Sequence, residues 1–331
     1  MKALEGETGR HLTLIAESDM NDPRIVRPWD VGGYGMDAQW ADDFHHALHT
    51  VLTSERTGYY EDFGSLRQLA KALKSPYVYD GSHSAHRKRW HGRKPEAIPG
   101  HRFLVCTQNH DQIGNRATGE RLSHLAGVAK AKLAAAVLMT SPYVPLIFQG
   151  EEWAASSPFQ YFTQHEDRVL GRKVSEGRRK EFAAFGWAPE DVPDPQDPAT
   201  FERSKLNWGE RTKGEHAAML DWYKSLIALR RSTPDLVSAD LEGVDVQLNE
   251  REGHLLLRRG PVAVALNFGA ERWFAPDVEG EVVLASADGC RRDREGLMIP
   301  PVCAAILIAG KPCDANRMEP EATLEMDCQA A

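Results

Sequence analysis

Phe103-Leu104-Val105-Cys106-Thr107-Gln108-Asn109-His110-Asp111-Gln112-Ile113-Gly114-Asn115 is the stretch on which the fold turns. Its first four residues form an uninterrupted apolar run, the pattern of a strand buried on both faces of a parallel sheet. The polar residues that follow stand at the C-terminal end of that strand, where α/β barrels keep their chemistry. Upstream, Leu12-Thr13-Leu14-Ile15-Ala16 has the same design and ends in Glu17-Ser18-Asp19. Two strands that each deliver a carboxylate at the C-terminal tip point to an enzyme working with a carboxylate pair.

Outward from these strands the first part of the chain alternates. Asp42–Leu52 reads as a helix with acids at its start. Ser65–Leu73 reads as a helix capped by Ser65, with Leu66, Leu69, Ala70 and Leu73 on one face. Arg87 to His101 is basic and contains Gly and Pro, and reads as a long loop. Gly127–Met139 is an Ala-rich helix, and Val144–Phe148 a short strand ending at Gln149-Gly150-Glu151-Glu152. Such alternation implies a parallel sheet with covering helices. Trp153 to Trp208 is expected to be largely irregular, and His216–Ser232 a strong amphipathic helix. From about Leu241 the pattern becomes short alternating strands: Leu255–Leu257, Val262–Phe268, Glu281–Ala285 and Ala304–Ala309, separated by Gly, Asn and Asp turns. That is the signature of a small antiparallel β-sandwich. The expected division is 1–238, 239–310 and a polar tail at 311–331.

Composition narrows the class. The 331 residues are 42% apolar and 27% charged, ordinary for a soluble globular protein. A net charge of −8 argues against a nucleic-acid or anionic-membrane partner. The five cysteines (106, 290, 303, 313 and 328) are odd in number and form no C-x-x-C, which reads as a reduced, cytoplasmic protein. The polar N-terminus, Met1 to Arg10, has no apolar core and is not a secretory signal. The apolar region Leu133 to Phe148 is broken by Pro142 and Pro145, so no membrane span is expected.

Several residues leave two readings open. Glu17 is either a catalytic acid or a salt-bridged Glu at a strand tip, and Asp111 either a site carboxylate or a turn cap. His45 and His49 stand four apart, as do Asp42 and His46, a spacing that a metal site could use. No H-E-x-x-H accompanies them, and no metal is expected. A charged first helical turn, favoured by the helix dipole, accounts for the same residues. Glu151 and Glu152 read as a structural pair. The basic run from Arg87 to Lys94 reads as a solvated loop in which Trp90 is placed to stack on a sugar.

With these residues set out, the chain resembles the α-amylase superfamily of glycoside hydrolases and, within it, the maltooligosyltrehalose trehalohydrolase family. The carriers are Leu14-Ile15-Ala16-Glu17-Ser18-Asp19 with Asn21-Asp22-Pro23-Arg24, then Asp37-Ala38-Gln39-Trp40 with Asp42-Asp43-Phe44-His45-His46-Ala47. Further carriers are Gly58-Tyr59-Tyr60-Glu61-Asp62-Phe63-Gly64, Asn109-His110-Asp111-Gln112-Ile113-Gly114-Asn115-Arg116 and Phe148-Gln149-Gly150-Glu151-Glu152. The resemblance runs from about residue 10 to 310. It implies an α/β fold with a (β/α)8 TIM barrel and a C-terminal β-sandwich. The implied reaction hydrolyses the α-1,4 bond next to the terminal trehalose of maltooligosyltrehalose, with no metal or organic cofactor. It implies that Glu17 is the proton donor, kept protonated by desolvation under a closed cleft. Asp111 would stabilise the oxocarbenium-like transition state. His110 would donate to a sugar hydroxyl, and Gln112, Ile113, Asn115 and Arg116 would continue the cleft around a tight turn at Gly114. Asp42, Asp43, Phe44, His45 and His46 would hold the leaving trehalose.

The chain departs from the family at one point. The family nucleophile is an Asp, with an Arg two residues earlier, at the tip of the strand before the one that carries the acid. Sixteen residues precede Glu17, and their only acids, Glu5 and Glu7, follow no strand pattern. The expectation is therefore the C-terminal half of the barrel, strands five to eight, with a missing N-terminal half as a partner and no hydrolysis by this chain alone. Two alternatives are a glucan-branching transferase of the same superfamily and a non-catalytic carbohydrate-binding remnant.

Overall fold

The computed structural model describes residues 1–183, 187–292 and 294–310; the tail expected at 311–331 lies outside the described residues. The chain runs α1 (Lys2–Thr8), β1 (Ile15–Ala16), β2 (Ala38–Trp40), α2 (Asp42–Thr53), α3 (Leu66–Lys74), β3 (Asp80–Ser84), β4 (Arg89–Gly92) and β5 (Phe103–Cys106). It continues through α4 (His110–Gly114), α5 (Leu122–Ala126), α6 (Val128–Thr140), β6 (Val144–Leu146), α7 (Arg168–Ala183), α8 (Pro198–Ser204), α9 (Gly214–Ser232) and α10 (Pro234–Val237). Eight strands follow: β7 (Val244–Asn249), β8 (His254–Arg259), β9 (Val262–Asn267), β10 (Trp273–Ala275), β11 (Glu281–Ala285), β12 (Arg291–Arg292), β13 (Leu297–Ile299) and β14 (Cys303–Ile308).

The first sheet is parallel and open, in the order β1-β2-β5-β6. Its register pairs Ile15 with Ala38, Gln39 with Phe103 and Leu104 with Val144. Parallel pairing brings the C-terminal ends of β1, β2 and β5 to one side, and that places the candidate site. The apolar run of β5 is buried at Phe103, Val105 and Cys106. Around the sheet, α3 begins with a reciprocal cap in which the Ser65 side chain accepts from the Gln68 amide and Gln68 caps Ser65 in return. Gly127, at φ +83°, separates α5 from α6, a backbone position that L residues rarely adopt.

The second part is a sandwich. A five-stranded antiparallel sheet, β11-β14-β9-β8-β7, packs on a three-stranded one, β10-β13-β12. The five-stranded sheet is the middle layer of the molecule. Val262, Val264 and Leu266 of β9 belong to the core shared with the helices, whereas Ala263 and Ala265 face the three-stranded sheet. Burial on both faces explains why this strand reads as a continuous apolar run.

Four expectations change. The strand expected over Leu12–Ala16 shrinks to Ile15–Ala16 at the sheet edge, where Leu14 and Ile15 remain exposed. The loop expected over Arg87–His101 contains β4, which closes a hairpin with β3 in the register His83 to Trp90. The irregular stretch expected over Trp153–Trp208 holds the sixteen-residue α7. The buried positions of α7 are Gly171, Ser175, Arg178 and Phe182; they recur at helical spacing, but only one is a large hydrophobe, so apolar periodicity is silent. The strand expected over Val144–Phe148 ends at Leu146.

Candidate active site

The parallel sheet sets the site. β1 runs into Glu17-Ser18-Asp19, β2 into Asp42 at the start of α2, and β5 into Asn109 and α4. Their ends enclose a cleft of about 310 Å³, lined by Glu17, Asp42, His46 and Asp111 together with Trp40, Tyr59, Arg87 and Asn115. A larger cavity of about 480 Å³ lies between the end of α3, residues 94–99 and residues 239–242, away from the strand tips.

Asn109 fixes the Asp111 side. It caps α4, its side chain accepting from the amides of Asp111 at 2.8 Å and Gln112 at 3.4 Å, while Gln112 Oε1 accepts from the Asn109 amide at 3.1 Å. This reciprocal cap leaves His110 and Asp111 facing out at the helix start. Asp111 Oδ1 accepts from Asn115 Nδ2 at 3.1 Å, and Asn115 is held in turn by Arg178 of α7 at 3.0 Å. His110 Nε2 lies 3.8 Å from Glu17 Oε1, and its ring packs edge-on to Trp40. Glu17 and Asp111 thus meet across one cleft.

The start of α2 supplies the opposite wall. The Asp42 carboxyl is raised to about 7, by burial first and then by the charges of Asp43, Asp111, Asp19 and Glu17. His46 is buried against Tyr59, Tyr60 and Phe63. Burial and the positive charge of its neighbours hold it down to about 3, so it is a neutral imidazole at working pH. Arg87, from the β3–β4 turn, reaches into the cleft and donates to Asp19 Oδ2 at 2.8 Å.

Other expected contacts are structural. Phe44 is buried in the core against Tyr143. Asp43 is buried and accepts from Asn21 Nδ2, the Val78 amide and the Tyr79 amide at 2.7–2.8 Å, tying α2 to the segment before β3. Its carboxyl rises to about 6 through burial, with those donors pulling it back. His45 uses both nitrogens inside the protein. Nδ1 faces the Thr107 carbonyl at 2.7 Å and so must donate, which leaves Nε2 to accept from the Tyr60 hydroxyl at 2.8 Å. Ile113 is buried, and Gly114 needs no special backbone: it has no positive φ, and an added Cβ would meet only ordinary contacts with Phe159. Arg116 turns away from the cleft to bind Glu55 at 2.9 Å. The closed cover expected over Glu17 is not present among the described residues, where its side chain is 56% exposed. Glu151 is buried behind the site, accepting from Thr107 and from Tyr223 at 2.6 Å, and burial raises it to about 7. No three or more His, Cys, Asp or Glu among the described residues are grouped to hold a metal ion. Nor is any described helix long and apolar enough to cross a membrane.

Six lining residues were not among the expected site residues: Ser18, Asp19, Trp40, Tyr59, Arg87 and Asn109. Tyr59 and Trp40 sit inside the family-like motifs. Arg87 carried no signal beyond a basic run, because only the hairpin aims it at the cleft.

The sequence is 49% identical over 308 residues to a malto-oligosyltrehalose trehalohydrolase of Rhizobium sp. (strain M-11), covering 92% of this chain and 52% of that protein. It is 48% identical to those of Brevibacterium helvolum, over 92% of this chain and 52% of that one, and of Mycobacterium tuberculosis, over 85% and 49%. The chain belongs to the maltooligosyltrehalose trehalohydrolase family.

It spans about half the length of the curated trehalohydrolases it matches. No protein-family model matches it. Among solved structures, an α-amylase-type protein from Salmonella typhimurium superposes with a TM-score of 0.80 at 34% identity, covering 93% of this chain and 53% of that one. The α-amylase of H. orenii superposes at 0.55 with 17% identity, over 93% of this chain and 55% of that one, a likeness of fold alone. Of the site residues expected from the sequence, the cleft brings together Glu17, Asp42, His46, Asp111, Gln112 and Asn115.

Proposed function

We propose that this chain carries the acid-bearing side of a retaining α-glycosidase that releases trehalose from maltooligosyltrehalose. Glu17 protonates the leaving oxygen, and Asp111 binds sugar hydroxyls and stabilises the positive charge that develops on the ring. His110 stands beside Glu17 to bind a hydroxyl at the scissile bond. Asp42 and the neutral His46 bind the leaving disaccharide; Gln112 and Asn115 line the same wall. The open four-stranded sheet supports a reading as barrel strands five to eight over residues 1–238, with the sandwich at 239–310 packed through a shared core. The nucleophile then comes from a complementary part of the barrel, closing against β1. An odd number of cysteines with no C-x-x-C supports a cytoplasmic setting.

The observation that carries this reading is the meeting of Glu17 and Asp111 in one cleft at the ends of β1 and β5, the two parallel strands that flank β2. The test is trehalose release from maltooligosyltrehalose by this chain alone, and by this chain mixed with the nucleophile-bearing half of a family enzyme. Release is expected only from the mixture. Full release by the chain alone overturns the dependence, and new branch points instead of free trehalose overturn the hydrolase assignment.

A further inference from the structure

Far from the cleft, the sandwich holds two free cysteines side by side. The pairing of β11 with β14 continues one step beyond β11. There the Ser286 amide donates to the Ala304 carbonyl at 2.9 Å, and the Ala304 amide donates to the Ser286 hydroxyl at 2.9 Å. The chain then makes an exposed turn at 287–289. At Gly289, φ +86°, an added Cβ would lie 3.6 Å from the Pro300 ring, so the turn rests against the segment that leads into β14. It delivers the half-buried Cys290 to the apolar layer between the two sheets. Cys303, the first residue of β14, belongs to that layer and is 0% exposed.

The two thiols hydrogen-bond to each other, and further donors face Cys303: the Ser286 hydroxyl and the amides of Ala287 and Ser286. The hydrogen bond from Cys290 and then, against burial, these other donors hold the Cys303 thiol below its ordinary range. The same hydrogen bond and burial push Cys290 up. A proton placed on Cys303 also finds an acceptor, the Ala304 carbonyl at 3.6 Å. The pair therefore has a partner for its proton on either sulfur, and only Cys290 meets solvent.

We propose that Cys290 and Cys303 are an oxidisable dithiol that closes to an intramolecular disulfide by exchange with a small-molecule disulfide such as oxidised glutathione. Cys290 passes its proton to Cys303 and attacks one sulfur of the glutathione disulfide, whose S–S bond breaks and releases a glutathione thiolate. That thiolate takes the proton from Cys303. The Cys303 thiolate then attacks the Cys290 sulfur and displaces the second glutathione as its thiolate. One S–S bond forms and one breaks; the protein pair is oxidised by two electrons, and the glutathione disulfide is reduced to two glutathiones. A disulfide of about 2 Å draws together two sulfurs already in contact. It would staple β14 of the five-stranded sheet to the turn that enters β12 of the three-stranded one.

The test uses the full chain, reduced, then exposed to oxidised glutathione, alkylated, digested and mapped by mass spectrometry. The expected main product is a Cys290–Cys303 linked peptide pair, two hydrogens lighter than the reduced form and reopened by dithiothreitol. Cys303→Ser removes the second attack and is expected to raise the mixed disulfide of Cys290 with glutathione at least about tenfold over the parent. Amides of β12 and β13 are expected to exchange more slowly in the oxidised chain than in the reduced one. Linkage through Cys313 or Cys328 in place of the Cys290–Cys303 pair overturns the proposal. So does a parent chain that stops at the mixed disulfide, or unchanged exchange in β12 and β13. These three outcomes are read on the parent chain and do not depend on the variant folding.

Discussion

Asp42 is a residue whose chemistry departs far from what its sequence position suggests. Half-buried at the start of α2 and faced by four other carboxyls, it holds its proton up to about pH 7. Its folded value lies above its unfolded one, so its contribution to stability is complete below about pH 4 and is lost as pH rises through about 7. Asp42→Asn removes that loss. Unfolding free energies are expected to be equal for parent and variant near pH 4 and higher for the variant at pH 8, by on the order of 2–4 kcal/mol, read from urea unfolding. A variant that is less stable at pH 8 refutes the crowded-carboxyl picture. At Glu17 the measurement is catalytic: Glu17→Gln in the complemented enzyme is expected to lower trehalose release about 10²–10⁴-fold with the fold unchanged by circular dichroism. Glu17 and Asp111 were legible because each follows a strand pattern directly. Phe44, His45 and Asp43 were misjudged as ligands because a helix start next to a site offers the same residue types to the cleft and to the core. Only their partners, Tyr143, Thr107, Tyr60 and Asn21, separate the two uses.

At the scale of elements, α4 is five residues long and is held by its cap rather than by length. Asn109→Ala removes the acceptor of the Asp111 and Gln112 amides and is expected to cost about 1 kcal/mol in urea unfolding. It also frees Asp111 to move, so trehalose release should fall by more than the stability loss accounts for. Unchanged release would show that Asp111 is positioned by other contacts. Helices with an apolar stripe, α3 and α9, were readable from spacing. The hairpin of β3 and β4 was not, because its strand residues are Asp, Gly, Ser, His, Arg and Trp and its turn is pinned by a distant acid. The Asp62 side chain accepts from Tyr79, Ser84 and the amides of Ala85 and His86, and no local pattern announces such a clamp.

At the scale of the whole molecule, the sandwich is fastened to the helical part by arginines that a sequence pattern cannot place. Arg259 of β8, only 3% exposed, donates to the carbonyls of Thr140, Ser141 and Leu236, closing the C-terminal end of α6. Burial lowers its guanidinium to about 10, yet the surrounding carbonyls keep the charge in place. Arg259→Met is expected to cost about 3–5 kcal/mol, read as a fall in the urea midpoint, because the carbonyls of Thr140, Leu236 and Ser238 lose that donor, while Ser141 keeps Arg230.

The parallel sheet sets a second condition at this scale. Its order leaves β1 at an edge, with Leu14 40% and Ile15 45% exposed. Parallel sheets are stable when both faces and edges are covered, and an open apolar edge recruits another strand. The chain by itself is therefore expected to self-associate, with sedimentation velocity showing species larger than the monomer at micromolar concentration. Ile15→Lys puts a charge on that edge and should restore the monomer without lowering the melting temperature, since Ile15 is half in solvent already. A complementary barrel half should compete with self-association, and the same Ile15→Lys change should weaken its binding. A monomeric parent chain, or association untouched by Ile15→Lys, would place the contact surface elsewhere than β1.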